Sequence, residues 1–88
     1  MITVKRITAL WCMSCLIMKK TWDNVFKNFP EINLVDYDFD DDYKVVETLN
    51  IGDILPVLII YKDDIEVQRI VGEKKEKQLN EIFFKLNL

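Results

Sequence analysis

Ile2, Val4 and Ile7 fall in a β-branched stretch from Met1 to Ile7 and predict a strand, which ends where Thr8-Ala9-Leu10-Trp11 leads into the first cysteine. From Cys15 the period changes. Leu16, Met18, Trp22, Val25, Phe26 and Phe29 recur at three- and four-residue steps, Lys19, Lys20, Asp23 and Lys27 fill the other side, and Pro30 stops the pattern. That is an amphipathic helix of about 15 residues with Trp22 on its buried stripe. Residues 33–39 alternate, with Val35, Tyr37 and Phe39 opposite Asp36 and Asp38, and predict a second strand. The aspartates at 36, 38, 40, 41 and 42 suit an edge strand, where charge discourages pairing with another chain. Asp42 is placed to cap a short helix through Leu49. Gly52-Asp53 and Pro56 then break the chain before Val57-Leu58-Ile59-Ile60-Tyr61, a continuous apolar run suited to a buried strand. Lys62-Asp63-Asp64 reads as a turn, Ile65 to Val71 as its hairpin partner, and Gly72 ends the hairpin. Leu79, Ile82, Phe83 and Leu86 stripe a terminal helix whose first turn is expected to carry Lys74, Lys75 and Lys77.

The order βαβαββα, without repeat or linker, is an α/β fold in one domain spanning 1–88. Helices between the first three strands call for parallel units with right-handed crossovers, a sheet covered on both faces, and an antiparallel closing hairpin. A chain of 88 residues has room for one core. Half of its residues are apolar and only two are Gly and two Pro, so it should fold rather than remain disordered. No apolar run approaches the roughly 20 residues of a membrane helix, which makes membrane association unexpected and a cytoplasmic location the expectation. The balance of 12 basic against 15 acidic side chains argues against nucleic acid as a partner. Histidine is absent, so no Ser-His-Asp triad, Cys-His pair or His-ligated metal can arise within the chain.

Cys12 and Cys15 are therefore the chemically unusual groups. In Trp11-Cys12-Met13-Ser14-Cys15 they stand three apart where a strand hands over to a helix, a spacing that fits a disulfide across the first helical turn. Helix-terminal N–H groups and the positive end of the helix dipole favour a thiolate there, so Cys12, the outer residue, is the expected nucleophile and Cys15 the resolving thiol one turn deeper. Two plainer uses remain open at this level. The pair could be a stabilising bridge, though a loop this short contributes only about 2 kcal/mol. It could also hold zinc or an iron-sulfur cluster shared by a dimer, because two thiolates are half the usual ligand set.

Trp11-Cys-x-x-Cys15 after the first strand, Leu55-Pro56 before the buried strand, the turn Lys62-Asp63-Asp64, and Val71-Gly72 before the last helix together resemble the thioredoxin family. The resemblance spans nearly the whole chain and implies the minimal fold shared with glutaredoxins, with a four-stranded mixed sheet in the order 2-1-3-4. It implies dithiol-disulfide exchange, in which Cys12 attacks a protein disulfide, Cys15 resolves the mixed disulfide, and a thioredoxin reductase-like enzyme or a low-molecular-weight thiol recycles the pair. No organic cofactor or metal is implied, and a monomer is expected. Pro56 is expected to be cis and to face the cysteines, the Leu55 backbone to pair with substrate, and Trp11 to be an exposed partner contact. A non-enzymatic binding module, with the cysteines as a redox sensor or shared metal ligands, is the alternative.

Four departures bear on tuning. Met13-Ser14 stands where the family has Gly-Pro, and that dipeptide helps set the potential. Val57 replaces the usual threonine after the proline, and Gly72-Glu73-Lys74-Lys75 lacks the paired glycines of a glutathione site, which favours a protein disulfide as substrate. Arg6 occupies the place of the family's buried aspartate and Asp36 that of its lysine partner. This swap predicts an inverted ion pair on adjacent parallel strands, with Arg6 supplying a cation below Cys15. Asp36, Asp38, Asp40 and Glu47 also match EF-hand ligand positions, but Asp41 stands where the sharp turn requires glycine.

Overall fold

In the computed structural model, which describes residues 1–86, the elements follow the expected order. They are β1 (Ile2–Thr8), α1 (Met13–Lys27), β2 (Asn33–Asp38), α2 (Tyr43–Leu49), β3 (Val57–Lys62), β4 (Ile65–Val71) and α3 (Glu76–Leu86). The four strands form one mixed sheet in the order β2-β1-β3-β4. Strands β1 and β2 are parallel, as a helical crossover requires, and Arg6 lies opposite Asp36 in their register. Strand β3, however, runs antiparallel to β1. The connection through α2 thus does not return the chain in parallel, and the sequence expectation of parallel units across all three strands is corrected: helical spacing fixes an element's type but not the direction in which the next strand enters.

Alternation along the strands builds two apolar layers. Ile2, Val4, Leu58, Ile60 and Ile70 pack beneath Met18, Trp22 and Val25 of α1 and Leu79 and Phe83 of α3. Phe83 also meets the rings of Phe26 and Phe29, with centroids 5.4 and 5.8 Å apart. On the opposite face Ile7, Val57 and Ile59 pack with Val46 and Leu49 of α2 and with Cys12, Cys15 and Leu55. Both faces of β3 are covered, which explains the unbroken apolar run that the sequence shows there.

Three boundaries differ from the sequence pattern. Helix α1 begins two residues ahead of Cys15, because Cys12 takes the N-cap position. Asp42 is the N-cap of α2, yet its carboxylate makes no cap bond; Oδ2 accepts the Asp38 N–H at 2.7 Å and closes the loop after β2 instead. Helix α3 begins at Glu76, so Lys74 and Lys75 precede it, and Lys74 Nζ donates to the Val71 and Glu73 carbonyls. The hairpin turns through Asp63 and Asp64, both left-handed with φ of 51° and 68°.

Candidate active site

The loop after β1 delivers Cys12 to the start of α1, where its Sγ accepts the Cys15 N–H at 3.2 Å. A sulfur thus occupies the place where a serine or aspartate oxygen would cap a helix, facing backbone N–H groups that carry the positive end of the dipole. The Cys12 N–H in turn donates to the Ala9 carbonyl at 3.2 Å. Both thiols are free and both residues are buried, Cys12 at 6% exposure and Cys15 at 3%. The outer and inner roles expected from position are therefore not separated by accessibility. The two thiols differ in their surroundings instead: the Cys15 thiol is pushed up to about 11, by burial first and by its hydrogen bond with the Cys12 side chain second. A thiol so placed stays protonated at neutral pH while Cys12 receives the N–H.

Leu55 and Val57 lie in the same buried cluster as the two cysteines, and Pro56 between them is fully buried with a cis bond to Leu55. The Pro56 carbonyl accepts the Gly72 N–H at 2.8 Å, tying this segment to the end of β4. The N–H and C=O of Leu55 itself make no hydrogen bond to any described residue. Trp11 is 62% exposed beside Cys12. It is nonetheless held in place: its indole N–H donates to Asp40 Oδ2 at 2.7 Å and its ring meets Phe39 edge-on at 5.9 Å. Met13 is exposed on the first turn of α1, and Ser14 donates to Glu73 Oε2 at 2.8 Å.

Asp40 and Glu73 were missed by the sequence reading. Each looked like one more solvated acid, and only the fold sets Asp40 beside the indole and Glu73 beside α1. Arg6 and Asp36 do form the ion pair that the swap predicts, through Nε at 2.6 Å and an amino nitrogen at 3.0 Å. The guanidinium lies over Trp22, 5.0 Å from its ring, and 5.9 Å from Phe26, which places it well along α1 from Cys15. Neither member of the pair is among the groups that shift Cys15, which answers to burial, to Cys12 and to the Ala9 backbone.

A dithiol turn capping a helix, set against a buried cis-proline on a 2-1-3-4 sheet, defines a thioredoxin-fold protein. The thioredoxin family profile matches residues 2–85, and the chain belongs to that family. It is 31% identical over 77 residues to a thioredoxin of Chlamydia pneumoniae, covering 88% of this chain and 74% of that one. It is 33% identical over 75 residues to an H-type thioredoxin of Fagopyrum esculentum, covering 85% of this chain but 64% of the plant protein's length. The fold is similar to that of the crystal structure of thioredoxin from Trypanosoma brucei brucei, with a TM-score of 0.89 at 21% identity over 99% of this chain and 75% of that one. Among the described residues no helix is long and apolar enough to cross a membrane.

Proposed function

We propose that this chain is a dithiol-disulfide oxidoreductase that reduces protein disulfides as a cytoplasmic monomer. The observation that carries the proposal is the division of labour at the turn: Cys12 Sγ receives the Cys15 N–H, whereas the buried Cys15 thiol holds its proton to about 11. The Cys12 thiolate attacks one sulfur of the substrate disulfide, and the other sulfur leaves as a thiolate that takes a proton from solvent. Cys15 then gives up its proton, attacks Cys12 Sγ, and displaces the second substrate sulfur. Substrate gains two electrons and two protons, and the chain is left with a Cys12-Cys15 disulfide, which an external thiol or a thioredoxin reductase-like enzyme returns to the dithiol. Trp11 and the free Leu55 N–H and C=O receive the substrate segment, the latter as a short added strand. Met13 and Ser14 adjust the potential through the first turn of α1, Ser14 with the Glu73 carboxylate beside it. Arg6 and Asp36 brace β1 against β2.

The test is insulin disulfide reduction with dithiothreitol or a thioredoxin reductase as electron source. Wild type should accelerate it, Cys12→Ser should lose all activity, and Cys15→Ser should accumulate a mixed disulfide visible on a non-reducing gel. Equal alkylation of both cysteines at about pH 7, rather than Cys12 first, would remove the basis of the assigned roles.

A further inference from the structure

Beside the cysteine turn a cleft of about 510 Å³ lies between the start of α1 and the edge strand β2. It reaches Cys15, and Leu10, Leu16 and Trp22 give it apolar walls. Its charged lining consists of Arg6 from β1, Lys19 and Asp23 from α1, Asp36 and Asp38 from β2, and Asp41 from the loop that follows. Arg6 and Asp36 neutralise one another. The carboxylates of Asp23, Asp38 and Asp41 make no hydrogen bond or ion pair with any described residue, and one lysine, Lys19, stands against them. The cleft is therefore left with an excess of negative charge beside Cys15, one helical turn from Cys12.

The same sign prevails around the rest of the turn. Asp40 is held against Trp11 and Glu73 against Ser14, while the nearby Lys74 ammonium is turned onto backbone carbonyls. Acids thus stand beside Trp11 and Ser14 as well as in the cleft at Cys15. The apolar walls suit the aliphatic stem of a long cationic side chain whose head reaches the carboxylates. An acidic segment would instead place like charges together, which costs both encounter rate and affinity.

We infer that this cleft receives a lysine or arginine side chain next to the reactive cysteine of the substrate protein, so that the enzyme selects disulfides with basic flanks. The inference rests on the thiol-disulfide reading and adds the substrate class to it. The experiment uses two disulfide-bridged peptides that differ only in flanking Lys or Glu. Their reduction rates are measured with the reduced protein, and their dissociation constants with the unreactive Cys12→Ser/Cys15→Ser protein. At about 20 mM salt the Lys peptide should be reduced and bound at least about 10-fold better, and the ratio should fall to within about 2-fold at about 0.5 M salt, where screening acts over only a few ångströms. Asp38→Asn/Asp41→Asn, and separately the surface change Asp23→Asn, should lower the low-salt ratio at least about 3-fold. Equal rates and equal binding, or a preference indifferent to all three carboxylates, would overturn the inference while leaving the oxidoreductase reading in place. A Lys preference in binding with neither peptide reduced would sink the oxidoreductase reading and leave the cleft standing.

Discussion

Cys15 holds its proton more firmly in the folded chain than the usual value of 9.0 allows, up to about 11. Between those two values the folded state binds more protons than the unfolded one, so the contribution to stability is fully present below about pH 9 and is lost as pH rises toward 11. Urea unfolding of the reduced protein should therefore show the stability difference between wild type and Cys15→Ser shrinking across that window, and a constant difference would show that the thiol is not held protonated. Arg6 is a contrasting case at the same scale. Its side chain is 18% exposed and that of Asp36 58%, so the pair is well solvated and is worth only about 0 to 1 kcal/mol. With its guanidinium over Trp22 instead of under Cys15, Arg6→Leu should leave the pH profile of Cys15 alkylation where it is. A shift of that profile to higher pH, as loss of a thiolate-stabilising cation would produce, would place the influence of Arg6 at the cysteines after all.

Helices and turns here are set by single residues at their ends. The first turn of α1 rests on a thiol in the capping position, so its geometry and its chemistry cannot be altered separately. The β3-β4 turn rests on two aspartates in the left-handed region, where any residue with a Cβ is disfavoured and glycine is not. Asp64→Gly, giving the Asp-Gly pair that two-residue hairpins prefer, should raise stability by about 0.5 to 1 kcal/mol in urea titration. Destabilisation would mean that the Asp64 side chain contributes to the turn more than its backbone costs. Strand β2 stands at one edge of the sheet with Asp36 and Asp38 facing the cleft, so the charges that protect the edge also define the proposed substrate preference.

At the scale of the molecule, one phenylalanine joins the last helix to both the first helix and the sheet. Phe83 is fully buried against Phe26 and Phe29, while its neighbour Phe84 is 61% exposed. Phe83→Ala should cost about 3 to 5 kcal/mol, and Phe84→Ala should stay within about 0.5 kcal/mol of wild type. A domain of this length has roughly 4 to 13 kcal/mol to lose. Phe83→Ala should accordingly be unfolded or close to it at 37 °C by circular dichroism, and a fully folded variant would show that α3 does not depend on this contact.

Period and punctuation along the chain determined the order of the elements, the buried run of β3, the hairpin, and the placing of Cys12 and Cys15 at a strand-to-helix turn, because each of these is decided within a few neighbouring residues. The pairing of Arg6 with Asp36 was legible through the family resemblance, because the two residues stand at positions that the family fills with an ion pair, and the register of β1 and β2 sets them opposite one another. The antiparallel entry of β3, the burial of both thiols, and the partners of Asp40 and Glu73 were decided only by the tertiary structure. Cys15 lies 3 residues from Cys12, but the buried cluster that holds it draws on β1, α2, β3 and the segment at Leu55. An aspartate on a loop carries the same local signature whether it meets water or an indole N–H, and only the packing of distant segments settles which.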